Sequence, residues 1–319
     1  MIYTVTLNTA IDRIVHIKGE LTRKHNNKMN DISYDIGGKA THVSVVLSSL
    51  SINNIATGFV GASNKSVLIN QLEKKDVTCE FIEQEGSSTR ESLILIDESG
   101  KGSYMITDKG FTIKDESFEK LIYKLQTSVK KNDIVVFAGS PPAGIDVEKY
   151  KIILETVQTQ KGKIIVDAAG DYLKAAVELK PTMIKPNEFE FQELVGKKLT
   201  TLDSYALEIQ KLLNSGIEYV VISLGQKGSL VGHQKTIYRV TPPEVKEVND
   251  TGCGDVFVGG VTAKLSQNSK LDEIFRFATA LGASKATKQS SSDFSLEQAA
   301  ELEKEVKIEI IGSDKYVVL

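Results

Sequence analysis

Short runs of β-branched and apolar residues alternate with longer stretches of helical periodicity along most of this chain, and that alternation limits its fold more than any other feature. IYTVTL (2–7) and IATGFVG (55–61) are predicted strands. Between them THVSVVLSSL (41–50) sets Val43, Val46, Leu47 and Leu50 at i, i+3, i+4 and i+7, the spacing of one helix face. The rhythm continues through DIVVFAG (133–139), helical VEKYKIILETVQ (147–158), KIIVDAA (163–169) and TMIKPN (182–187). Helical EFEFQELV (188–195) and 203–215 precede the strand EYVVISLG (218–225), and helices are expected near 255–266, 271–287 and 296–304. Strands separated by helices predict an α/β fold, with a parallel sheet covered on both faces.

Two stretches depart from this rhythm. Residues 11–36 and 88–107 carry strand-like runs (IVHIKG, MNDISYDI, ESLILID, GSYMIT) with no helix between paired members. They predict an antiparallel patch inserted in the α/β core as a lid over the strand ends. No internal repeat, Pro-rich linker or low-complexity segment divides the chain, so residues 1–319 are expected to be one domain with that lid. An exposed lid edge would offer a contact for a homodimer.

Composition excludes several functions. The 319 residues carry a net charge of −3 and are 41% apolar, enough for a sizeable core. The longest basic clusters are pairs such as KK at 74–75 and 130–131, so no nucleic-acid partner is expected. No apolar run approaches the ~18 residues that span a bilayer, and MIYTVTLN lacks the basic start of a signal peptide. Cys79 and Cys253 form no CxxC pair, which fits a cytoplasmic protein with reduced thiols.

Glycine turns follow several predicted strands: GGK (37–39), GS (139–140), LGQKG (224–228) and GCGD (252–255). In open α/β sheets such turns converge on one crevice at the strands' carboxyl ends. DIGGKAT is not a phosphate loop of the G-x-x-x-x-G-K-[ST] type, because Ser33 stands where the first glycine belongs. GCGDVF fails the dinucleotide pattern G-x-G-x-x-G at Phe257. His16, His25, His42 and His233 show no zinc-ligand spacing. TGCGD, however, would present free N–H groups from Thr251 to Gly254 at a helix start, which suits a phosphoryl group gathering negative charge. Asp255 beside them could take a proton from an attacking hydroxyl, or could simply be an N-cap aspartate after a glycine turn.

NDTGCGDVFVGG (249–260) resembles the C-terminal signature of the ribokinase-like (PfkB) sugar kinases, and YDIGGKATHVSVVLSSL (34–50) followed by ATGFVG resembles their N-terminal one. TLNTAID, STR, AGSPPAG, IKPNEFE and VVISLGQKGS extend the likeness, in order, over nearly the whole chain. The pattern is most similar to the ketohexose-phosphate branch, which includes 1-phosphofructokinases and tagatose-6-phosphate kinases. The resemblance implies a three-layer α/β/α sandwich with a small β-sheet lid. It also implies ATP- and Mg²⁺-dependent phosphorylation of fructose 1-phosphate or tagatose 6-phosphate to the bisphosphate.

Carried onto this sequence, the resemblance makes Asp255 the base, with Gly252, Cys253 and Gly254 forming the anion hole. Asp12, Gly38, Lys39, Arg90 and Ser140 would bind the sugar phosphate. Lys185, Asn187, Ser223, Gly225 and Gly228 would meet the nucleotide, and Asn187 with Glu190 would hold Mg²⁺ through water. Cys253 fills the alanine slot of the family motif and is not expected to be a nucleophile. Taken singly, Lys39 and Arg90 read as surface cations, and Glu190 as a charge on a solvated helix face.

The chain departs from the family pattern in places. Ala40 and His42 replace a glycine and a sugar-contacting asparagine, while Glu91, Ser92 and Ile94 alter the stretch after Arg90. These differences leave the identity of the ketohexose open. Two further readings stay open: a kinase of an unphosphorylated sugar or nucleoside, and a sugar-phosphate-binding regulator without turnover.

Overall fold

In the computed structural model, which describes residues 1–99 and 103–312, eleven strands build one large sheet. Ile2–Thr6 lies between Ile55–Gly61 and Ile134–Ala138. From Ile134–Ala138 the sheet continues through Lys163–Asp167, Met183–Ile184 and Tyr219–Ser223, every pairing parallel. Thr78–Cys79 and Ile82–Gln84 extend it beside Ile55–Gly61. Three antiparallel strands, Ser229–His233, Thr236–Thr241 and Lys307–Gly312, form the opposite edge.

Every residue of Ile2–Thr6 and of Ile134–Ala138 is buried, as expected of parallel strands with helices on both faces. On one face Val5, Val135, Val166 and Val220 pack against Leu121, Leu125, Ile153, Val157 and Ile209. On the other, Ile2, Val136, Ile165 and Val221 pack against Val46, Leu47, Val258, Val261 and Phe275. Each such side chain contributes about 1.5–3 kcal/mol by leaving water. These two apolar layers cover the parallel sheet on both faces, as the alternating pattern predicts, and make the three-layer sandwich that the resemblance implies.

The helix Glu188–Val195 matches its expected bounds, and Leu202–Ser215 and Leu271–Ala286 come within a residue of theirs. The helix expected near 255–266 begins earlier, at Cys253. Three helices, Lys65–Glu73, Asp115–Ser128 and Gly170–Glu178, were not anticipated. The second had a visible signal, since Leu121 and Leu125 sit four apart and are both buried.

The two stretches outside the rhythm form a separate four-stranded sheet, in the order Met29–Gly37, Ala10–Ile17, Arg90–Asp97, Ser103–Thr107. Residues 100–102, part of the expected lid, lie outside the described residues. The sheet is not wholly antiparallel. Its outer pairs are, but the central pair runs parallel, with Ala10 opposite Arg90 and Asp12 opposite Ser92. The reason is connectivity: the two central strands are joined through Lys39–Ser49 and Ile55–Gly61 of the main body, not by a hairpin turn. Ile11 and Ile36 seat this sheet on Val45, Val60, Leu68 and Leu72. Its edge strand Ser103–Thr107 is exposed at every residue.

Candidate active site

The motifs converge where the parallel strands end. Asp167, the last residue of Lys163–Asp167, is 2% exposed and lies between two ammonium groups. Lys39 Nζ is 3.5 Å from its Oδ1 and Lys185 Nζ is 3.3 Å from its Oδ2. Asp167 holds the Lys39 ammonium above its ordinary pKa, with burial pulling the other way. Lys185, 5% exposed, also approaches the glycine turn, because a Cβ added to Gly254 would lie 3.6 Å from its Nζ. Gly139 lies against the Lys39 stem, and the exposed Ser140 follows it. Asp167 was absent from the expected site. Its signal was a carboxylate closing an otherwise apolar buried strand, KIIVD.

The glycine turn has the geometry of an anion site. Gly252 has φ 86°, and a Cβ there would lie 1.8 Å from Ser291 O, so glycine alone fits. The helix Cys253–Ser266 follows, and Val256 N–H donates to Gly252 O at 2.9 Å. Ahead of it, the N–H groups of Gly254 and Asp255 belong to the first helical turn, where no intrahelical acceptor exists. Cys253 N–H donates to Asp250 O at 3.1 Å within the turn. Burial pushes the Cys253 thiol up to about 11, with Lys285 pulling the other way, which agrees with the alanine-slot reading.

Asp255 is the third residue of that helix, and the N-cap is Gly252 with no side-chain cap. Its carboxylate is therefore not spent as an N-cap. Asp255 Oδ2 instead meets His42 Nδ1 at 2.8 Å, and His42 Nε2 meets Ile36 O at 2.8 Å. Asp12 lies close by, and burial pushes its carboxyl up to about 6 against the pull of His42, Ser92 and Arg90. Arg90 leans on two backbone carbonyls, Asp108 O and Asn8 O, at 3.4 Å each. Its buried Nε has no partner among the described residues.

The stretch IKPNEFE forms a capping box. Asn187 Oδ1 accepts from Phe189 and Glu190 N–H at 2.9 Å each, and Glu190 Oε2 accepts from Asn187 N–H at 2.8 Å. Glu190 still has its second oxygen, and its charge helps to raise the Lys39 pKa. Among the described residues no group of three or more His, Cys, Asp or Glu could hold a metal directly. The second Glu190 oxygen is the kind of donor that can hold the water shell of Mg²⁺. Ser223 N–H donates to Pro186 O at 3.0 Å, which joins the capping box to the next loop. That loop turns through Gly225 and Gly228, and a Cβ on Gly228 would lie 2.0 Å from Val240 O.

Known proteins resemble this chain along most of its length. A 1-phosphofructokinase of Bacillus subtilis is 33% identical over 286 residues, 90% of this chain and 92% of the relative. A tagatose-6-phosphate kinase of Staphylococcus epidermidis is 28% identical over 311 residues, 97% and 99% of the two chains. Phosphofructokinase-2 from Escherichia coli, solved with fructose-6-phosphate, superposes with a TM-score of 0.87 at 27% identity, covering 95% of this chain and 98% of that one. Its tetrameric inhibited form gives 0.88 over the same shares. The pfkB family carbohydrate kinase model matches residues 4–299, spanning both glycine motifs and the strands between them. With that extent matched, the chain belongs to the pfkB family of carbohydrate kinases.

Proposed function

We propose that this protein transfers the terminal phosphoryl group of ATP to a hydroxyl of a ketohexose phosphate, fructose 1-phosphate or tagatose 6-phosphate, giving the bisphosphate and ADP. The observation that carries this reading is Asp255 in the first turn of Cys253–Ser266, beside amides that have no helical acceptor. A hydroxyl held by Asp255 attacks the terminal phosphorus. The new O–P bond forms as the bond to the bridging oxygen breaks, ADP leaves with that electron pair, and Asp255 takes the hydroxyl proton. Gly252 and Gly254, at the positive end of the helix, stabilise the charge on the phosphoryl oxygens in flight. Lys185, buried beside Gly254, adds a fixed positive charge there.

Asp12 orients the sugar, and Gly38, Lys39 and Arg90 receive its phosphate, with the smaller sheet acting as a lid. Support for a phosphorylated sugar comes from these cations and from the relatives, whose names or bound ligand are phosphorylated ketohexoses. Ser223, Gly225 and Gly228 meet the nucleotide. Magnesium, when bound with ATP, neutralises phosphate charge, and Asn187 and Glu190 would hold its water shell. Glu190→Gln should therefore raise the Mg²⁺ needed for half-maximal rate several-fold and leave sugar KM nearly unchanged. An unaltered Mg²⁺ profile would reduce Glu190 to a capping residue.

The deciding experiment is ADP release with Mg-ATP and fructose 1-phosphate, fructose 6-phosphate, tagatose 6-phosphate, fructose or ribose. Preference for a phosphorylated ketohexose is the expected result. Faster turnover of plain fructose or ribose would favour the unphosphorylated-sugar kinase, and no turnover at all would favour the regulator. The exposed Tyr104, Met105 and Ile106 on the edge strand support self-association through the smaller sheet. Sedimentation of the same preparation as a monomer would remove that part of the reading.

A further inference from the structure

Where the family pattern has a sugar-contacting asparagine, this chain has His42, and its ring is turned to Asp255. We infer that His42 is a positioning residue for Asp255: its imidazolium cancels the charge of the buried carboxylate and fixes which oxygen faces the sugar hydroxyl. The inference rests on Asp255 being the base.

Both ring nitrogens are engaged, and their partners dictate the protons. Ile36 O can only accept, so Nε2 must carry hydrogen across its 2.8 Å contact. A second proton must lie between Nδ1 and Asp255 Oδ2, since two lone pairs 2.8 Å apart would repel. The pair therefore holds one shared proton and no net charge. Both residues are 7% exposed, so solvent does little to screen an unpaired charge there.

This arrangement resolves a conflict in the site. A bare buried carboxylate would repel both of the phosphorylated substrates that must approach it. Neutralised by His42, Asp255 can stand at the mouth of an anion site and keep Oδ1 for the hydroxyl. When that oxygen takes the substrate proton, the pair becomes positive beside newly formed phosphates. One ring also ties together three elements: its own helix Lys39–Ser49, the strand Met29–Gly37 of the smaller sheet, and the base helix Cys253–Ser266. A merely structural buried histidine would satisfy Ile36 O but would have no reason to titrate with turnover.

The charged groups around the ring are Asp255 from the base helix and Asp12 from Ala10–Ile17, with Asp35 and Arg90 behind Asp12. Lys39, on the ring's own helix, lies within the field of Asp255. Burial pulls the His42 pKa down, but the bond and charge of Asp255, the Ile36 carbonyl and Asp12 carry it up to about 9. Because this value is raised, the imidazolium is intact at neutral pH and is lost as pH rises through about 9.

The test is kcat against pH for the wild type, His42→Asn and Asp255→Asn, with KM for ATP measured alongside. Wild-type kcat should fall as pH rises through about 9. His42→Asn can still donate one bond to Asp255 but cannot titrate. Its kcat should be roughly 10-fold lower, its ATP KM unchanged, and its alkaline fall absent. A wild-type kcat and alkaline limb in His42→Asn would overturn the inference, whereas turnover surviving in Asp255→Asn would overturn the base reading beneath it. Should His42→Asn fail to fold, imidazole NMR of the wild type decides, with the ring assigned by replacing His16, His25 and His233 in turn. A doubly protonated His42 ring at pH 8 that returns to ordinary titration in Asp255→Asn is expected; a neutral ring at pH 8 sinks the proposal.

Discussion

Asp255→Asn should lower kcat by roughly 10²- to 10⁴-fold, the usual contribution of a positioned general base, while KM for ATP changes little. The amide keeps the shape of the carboxylate, and its NH2 can donate to Nδ1 of a neutral His42 ring whose Nε2–H still bonds Ile36 O. The turn at Gly252 and the first-turn amides do not depend on the Asp255 side chain, because it caps nothing. Nucleotide binding should therefore survive, and the loss should fall on the chemical step. Steady-state kinetics with saturating sugar phosphate separates the two. Near-normal turnover would mean that the hydroxyl needs no base here, and would leave the glycine turn as an anion site alone.

Much of the scaffold was legible because its signals are local. Ile55–Gly61 is a short, mostly apolar run between turns, and Glu188–Val195 follows an N-cap Asn with Glu three residues on. The anion turn was legible because the space beside Gly252 admits no side chain, and that demand is written into the residue itself. What stayed hidden depends on pairings remote in sequence. Asp167 meets Lys39 across 128 positions, and Asp255 meets His42 across 213. Nothing local to His42 shows that its ring meets Asp255. The parallel register between Ala10–Ile17 and Arg90–Asp97 was hidden for the same reason, since each strand by itself reads as half of a hairpin.

Arg90→Ala should raise KM for the sugar phosphate roughly 10- to 150-fold, as expected for losing a charge-assisted contact of about 1.5–3 kcal/mol, with KM for ATP nearly unchanged. Arg90 is poised for an anion because its present partners are weak. Both carbonyl contacts are 3.4 Å long, and the buried Nε has no partner among the described residues. A phosphate can therefore take the planar fork in two parallel bonds with only long hydrogen bonds to displace, within the field of Asp12 and Asp108. Lys39 is in a different position. Its ammonium already sits 3.5 Å from Asp167, so a phosphate must compete with that carboxylate. Lys39→Ala should weaken the same substrate, but less than Arg90→Ala does. Both variants should narrow the preference for phosphorylated over plain sugar, which the substrate panel reads directly. The order of the two effects tests the geometry, and their existence tests the substrate class. If Arg90→Ala left the sugar-phosphate KM unchanged, the smaller sheet would not close on a phosphate, and the kinase of an unphosphorylated sugar would become the better account.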